Sequence, residues 1–194
     1  MGWNVTRIVR RLRDALVGLA MLALALLIIA KLENEQAWRF RGPFLAVDGD
    51  TLVVEGERLR LEGIDAPELG QTCTPSVGGS YACGTDARQT LADLIKGGDW
   101  ECLGTGRDRY ERFLVTCRRG LDDLGSLLVR SGSAVADGRY LAEEGMARRD
   151  GKGIWGGAFE RPSDWRQLQK LEDVEQVAWL WTLLPRWIVN WFEE

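Results

Sequence analysis

No histidine occurs anywhere in this chain of 194 residues. That absence excludes Ser–His and Cys–His triads, His-ligated zinc and any imidazole base, so proton chemistry falls to carboxylates, lysine or tyrosine. CxxC spacing is also missing among Cys73, Cys83, Cys102 and Cys117, which argues against a zinc ribbon or a thioredoxin-like centre. Nor is there an excess of positive charge: the net is -4, and residues 38–170 carry 19 Lys and Arg against 21 Asp and Glu. A polyanion must therefore be held by local clustering, not by a basic coat. No internal repeat is visible, and the length suits one well-cored domain with appendages at both ends.

What is present begins with a basic flank, Arg7, Arg10, Arg11 and Arg13, ahead of an uncharged apolar run over 15–30. This is the layout of an export segment with its basic side retained in the cytoplasm. At about 1.5 Å per residue the run spans roughly 24 Å, short of a hydrocarbon core of about 30 Å, and snorkelling Arg13 and Lys31 extend it. Segment 1–36 reads as a signal anchor, or as a signal peptide cut after Ala30; Ile28, a poor fit to the small residue wanted two before a cut, favours the anchor. Either way the remainder is expected in the cell envelope, or secreted after cleavage.

Export makes the cysteines readable. Cys102 and Cys117 lie on two strand-like runs around a loop at 104–112, so a hairpin sets them across from each other. Cys73 and Cys83 then close the loop 74–82.

Residues 37–43 read as a linker, and the domain is expected over 44–170. Its first part, 47–68, packs Asp48, Asp50, Asp65 and Glu68 with Arg60 into a predicted three-stranded meander over 44–47, 51–54 and 58–64. Carboxylates crowded in this way need a cation or a positive side chain beside them. Oxygen-only ligation suits calcium, with magnesium second. Leu59 and Leu61 alternate with Arg58, Arg60 and Glu62, which aims Arg60 away from the core. Three helices are predicted: one capped by Thr85 or Asp86 and stopped at Gly97-Gly98, one from Leu121 to Gly132, and one over 140–149. Five strands and about three helices in this order make an α+β fold, a small five-stranded barrel with helices packed around it.

The strings VDGDT, RLRLEGIDAPE, DRYER, LVRSG and GKGIW, in that order across about 44–165, resemble the staphylococcal nuclease (thermonuclease) family, and the cysteine pattern resembles its exported bacterial branch. The resemblance implies an oligonucleotide/oligosaccharide-binding (OB) barrel that hydrolyses DNA and RNA with calcium; with the N-terminal segment uncleaved, the domain is expected at the bacterial inner membrane, in the periplasm or outside. It implies Asp50 and Asp65 as metal carboxylates, Thr51 as donor of a backbone carbonyl and Asp48 behind them. Glu68 then acts on the attacking water, Arg60 and Arg112 clamp the phosphate, and Arg109 and Tyr110 contact a terminal phosphate. Two positions depart from the pattern: Glu111 replaces a glycine, and Tyr140 alone remains of an aromatic pair for the base.

The rival is a non-catalytic OB-fold module anchored at a membrane, holding nucleic acid or a protein partner. The tail, 171–194, carries four of the nine tryptophans within 177–192 and reads either as an interfacial segment beside the bilayer or as an amphipathic segment packed on its own domain or a partner.

Overall fold

In the computed structural model the backbone is described for residues 3–35 and 38–183, and side chains for 10–29, 31 and 38–172. The chain divides into two compact units, Met1–Trp38 and Arg39–Glu194. The first is one helix, α1 (Trp3–Glu35), whose stretch Arg10–Ile29 is long and apolar enough to cross a membrane, with none of that stretch buried. At about 1.5 Å per residue those 20 residues match a hydrocarbon core of about 30 Å.

The second unit is built on a seven-stranded sheet. Strands β1 (Trp38–Arg41), β2 (Leu45–Ala46), β3 (Thr51–Val54) and β4 (Glu57–Leu61) come first, and β5 (Ile64–Asp65) and β6 (Thr74–Pro75) leave the sheet. Helix α2 (Cys83–Ile95) precedes the hairpin β7 (Glu101–Arg107) and β8 (Phe113–Arg119), followed by β9 (Asp122–Asp123) and α3 (Leu124–Ser131). Then come β10 (Val135–Ala136), α4 (Leu141–Arg149), a 3-10 turn at Gly153–Gly156, β11 (Gly157–Ala158) and α5 (Pro162–Leu183). The sheet runs β1-β7-β8-β4-β3-β2 with β9 beside β8, and it curls into a half-barrel of the OB type.

Alternation decides which face is inside. Leu52 stands opposite Leu59, and both are fully buried with Leu61, Phe113 and Val115 beneath α2 and α3. The charged members of the same strand, Arg58 and Arg60, face outward, as period-two strands require. One pairing matters most for the site: β4 and β8 run parallel, with Arg60 opposite Leu114. Two segments 54 residues apart are thereby joined side by side, and Arg112, the residue before β8, arrives next to the meander.

The structure departs from the sequence reading in places. Residues 38–41, read as linker, form an edge strand, because Phe40 packs on Phe113 (ring centroids 4.9 Å apart) and Arg41 pairs with Glu101 at 2.9 Å. The third meander strand stops at Leu61, and Ile64–Asp65 turns away to pair with β10. The second helix starts at Leu124, capped by the Asp123 carboxylate accepting from the Ser126 N–H, so Leu121 is left fully exposed in the turn before it. Helix α2 begins at Cys83, ahead of the expected caps. Helix α5 runs across the expected boundary at 170; the Trp-rich stretch falls partly on its last residues, whose side chains are not described, and residues 184–194 lie outside the described residues.

Both disulfides form as expected. Cys102–Cys117 joins directly opposed residues of β7 and β8 inside the core, and Cys73–Cys83 ties the loop before α2 to its first turn. A closed loop of 15 residues contributes roughly 3 kcal/mol in the chain-entropy description.

Candidate active site

The DGD turn lies against the helix layer because position 49 has no side chain. A Cβ there would come within 2.6 Å of the Ala66 Cβ and 2.9 Å of that of Ala87. This close approach places Asp50 immediately before β3 with 4 % of its surface exposed. Its carboxylate accepts from Thr51 Oγ1 at 3.0 Å, Arg60 Nη1 at 2.9 Å and the Ala66 N–H at 3.3 Å; Asp48 accepts from the Asp50 N–H at 3.1 Å. Burial, opposed by Arg60, pushes the Asp50 carboxyl up to about 7. Thr51 is fully buried, and its carbonyl accepts from the Val47 N–H.

Asp65 is brought to the same place by the turn into β5. Arg60 bridges the two acids, with Nη2 donating to Asp65 at 3.1 Å. Burial alone would lower the Arg60 pKa, but Asp50 and Asp65 beside it hold the guanidinium above its ordinary value. Arg112 sits beyond Arg60, donates Nε to Asp108 Oδ2 at 2.8 Å and holds Nη2 2.7 Å from the same oxygen as an ion pair, which leaves Nη1 as a donor for an anion. Asp108 also accepts from the backbone N–H groups of Tyr110 and Arg112. Burial would raise Asp108, but those donors and the Arg112 guanidinium outweigh it and hold the carboxyl below its usual range. Glu111 occupies the left-handed region of this turn (φ 61°) with an exposed side chain, which explains why a glycine suits the position.

Glu68 is held by residues that sequence reasoning did not single out. Gln71 is fully buried; its Oε1 accepts from the Glu68 N–H at 3.2 Å, and its Nε2 donates to the Glu160 carbonyl at 2.7 Å. The Glu68 loop rests on the first turn of α2, where a Cβ on Gly84 would lie 1.7 Å from the Glu68 carbonyl oxygen. The larger omission is Arg166 on α5. It donates to both oxygens of Asp65 at 3.0 and 2.9 Å and to Glu68 at 2.7 Å. Those hydrogen bonds raise its pKa further above the ordinary arginine value. Pro162 at the first helical position and Asp164 in the first turn signal the start of α5, but nothing local says where Arg166 points.

Several of these groups line two neighbouring spaces that share Arg60, Glu68 and Arg112, while Asp65, held by Arg60 and Arg166, lines neither. A small cavity of about 40 Å³ is lined by Asp48, Asp50, Glu68, Arg60, Arg112 and the Ala66–Pro67 backbone. It opens beside a cleft of about 840 Å³, lined among others by Arg58, Arg109, Tyr110, Trp165 and Lys170. Tyr140 lies elsewhere: it packs over Gly125, and its hydroxyl donates to Asp123 at 2.8 Å. Burial and that carboxylate raise its phenol pKa.

Among the described residues no three acidic or sulfur side chains converge into a ready-made metal cage. The donors at the small cavity are nonetheless all oxygens, and Asp50 is a buried carboxylate whose charge is under-compensated by Arg60 alone. That set fits one hard cation taking most of its ligands from water.

Fold and site together define a class: a half-barrel of the OB type with a buried acid–arginine centre at the foot of a cationic cleft. Residues 58–157 match the family described as staphylococcal nuclease homologue, and the chain belongs to the staphylococcal nuclease family. It is 38% identical over 121 residues to the succinoglycan biosynthesis protein ExoI of Rhizobium meliloti, covering 59% of this chain and 63% of that one, less than two thirds of its length. It is 31% identical over 183 residues to the micrococcal nuclease of Shigella flexneri, covering 82% of this chain and 98% of the relative. An uncharacterized endonuclease of Haemophilus influenzae is 31% identical over 136 residues, with 64% and 71% covered.

Proposed function

We propose that this chain is a calcium-dependent nuclease, with magnesium the second choice of cation, that hydrolyses phosphodiester bonds of DNA and RNA and prefers single strands. The observation that carries the reading is the small cavity where Asp50, Glu68, Arg60 and Arg112 face one another at the foot of a cleft with cationic walls. Asp50 and Asp65 would hold the cation, with Thr51 and Asp48 fixing Asp50. When bound, a cation supplies Lewis-acid polarisation of the phosphate.

The chain's own residues do the rest. Arg60 and Arg112 present planar guanidinium donors to the phosphoryl oxygens, where negative charge grows in the transition state, so they stabilise that state more than the bound substrate. Glu68 accepts the proton of the attacking water, its carboxylate oriented by Arg166 and its backbone by Gln71. Arg109 and Tyr110 stand on the cleft wall where a terminal phosphate would lie. Helix α1 and the two disulfides support an envelope location, with the domain on the oxidising side of a membrane.

The rival, a barrel that binds without cutting, draws on Arg166, which covers Asp65 and Glu68. A cleavage assay separates the two. The full chain in detergent is incubated with single-stranded DNA in calcium or in chelator, beside Glu68→Ala and Arg112→Ala variants. Calcium-dependent cleavage that drops by about 10²-fold or more in both variants is expected. Absence of cation-dependent cleavage, or cleavage at the wild-type rate by both variants, overturns the proposal.

A further inference from the structure

Helix α5 begins at Pro162, beyond the family match that ends at residue 157, yet it forms one side of the cleft. Trp165, Arg166, Gln169 and Lys170 all line it, and their spacings of three and four residues put them on one helical face. The hairpin residues Arg109 and Tyr110 line it as well.

Charge is distributed unevenly within this space. The lining carries five arginines and one lysine against Glu68 and Asp108, in a chain whose net charge is -4. Both acids are already taken, Glu68 by Arg166 and Asp108 by Arg112. Among the described residues Arg58 and Lys170 pair with no acid at all, while Trp165 is half-buried with its ring over Gly70. Helix α5 is moored at this spot by Arg166 on Asp65 and Glu68, and the segment before it by Gln71 on the Glu160 carbonyl. The wall is therefore fixed relative to the centre.

We propose that α5 supplies a wall of a single-strand channel, in which Trp165 stacks on an unpaired base and Lys170 contacts a phosphate neighbouring the one held at Arg60 and Arg112. This rests on the nuclease reading for the location of the scissile phosphate. The occupant follows from chemistry. Cations at successive positions track a polyanion, and an aromatic side chain among them needs a free base face, which a duplex does not offer.

The test measures binding apart from cleavage. Dissociation constants of the full chain in detergent for a fluorescent oligothymidylate and for a duplex of equal length are measured in chelator across a salt series, with Trp165→Ala, Trp165→Phe and Lys170→Ala. Trp165→Ala is expected to weaken single-strand binding by about 5- to 100-fold, Trp165→Phe by much less, and duplex binding to change little. Lys170→Ala should reduce the salt slope by about 0.7. Trp165-dependent binding without calcium-dependent cleavage leaves this proposal standing and removes the nuclease reading. Normal single-strand binding by Trp165→Ala, equal loss on duplex, or an unchanged salt slope in Lys170→Ala overturns it while the cleavage assay stands on its own. Should Trp165→Ala fail to fold, Trp165→Phe and Lys170→Ala carry the decision: wild-type salt slopes in Lys170→Ala still overturn it.

Discussion

At the foot of the cleft Arg60, Arg112 and Arg166 each hold a carboxylate, whereas on the walls Arg58 and Lys170 pair with no acid among the described residues. The difference shows how one site meets two demands. Charges at the foot are largely shielded from water, those of Arg166 and Glu68 least, so most of their compensation comes from inside the fold before any ligand arrives. Charges on the walls stay hydrated and exert their pull over a Debye length. Changes at the foot should therefore register in stability and rate, and changes on the walls in affinity and its salt dependence.

The strongest test of that division is Arg60→Ala. Removing Arg60 leaves Asp50 without its cationic partner and Asp65 with Arg166 alone. Breaking a buried pair from one side costs about 3–5 kcal/mol, so denaturant unfolding in chelator at pH 8 should show a loss of that order. Cleavage should fall by about 10²- to 10³-fold. If a cation binds between the acids, calcium should recover more stability in the variant than in the wild type. A variant as stable as wild type in chelator would break the comparison at its deeper end.

Asp50 sharpens it further through pH. Its folded-state carboxyl is pushed up to about 7 from an ordinary 3.8, so between those values the folded chain holds a proton that the unfolded chain has released. Stability from this group is full below about pH 4 and is lost as pH rises toward 7, levelling off above. Three units at about 1.4 kcal/mol each bound the effect at about 4 kcal/mol. In chelator, wild-type stability relative to Asp50→Asn should therefore fall across that window; a flat difference would show that Arg60 already compensates the charge in full.

Much of this centre is legible because it is local. Asp48, Asp50, Arg60, Asp65 and Glu68 lie within one short stretch of sequence, 48–68, whose hairpin turns and alternation can be read from residue type, and the later hairpin sets Cys102 opposite Cys117. What could not be read depends on segments distant in sequence. Ile64–Asp65 abandons the sheet because Val135–Ala136 is there to receive it, and Arg112 reaches Arg60 only through the parallel pairing of β4 with β8. Gln71 announces nothing as a type; its importance lies in being fully buried between Glu68 and Glu160. Arg166 sits 98 residues from Glu68, on a helix whose start is readable but whose destination is not. The Tyr140 hydroxyl goes to Asp123, the cap of α3, and the ring packs over Gly125 on that helix.

The smallest expected effect is on the wall. Arg58 is an exposed strand residue facing out from β4, opposite Val53, and among the described residues it holds no acid. Arg58→Ala should leave unfolding free energy within about 0.5 kcal/mol of wild type, since no buried partner is abandoned. Its loss removes one hydrated cation from the strand's path, so the slope of log affinity against log salt for a single strand should shrink by about 0.7, and the affinity gap should close as salt rises. Rate at saturating substrate should hold, because a contact equal in ground and transition states lowers KM without raising kcat. If Arg58→Ala instead slowed turnover as Arg60→Ala does, foot and wall would not be separate regions, and Arg58 would belong with the guanidiniums that meet the reacting phosphate.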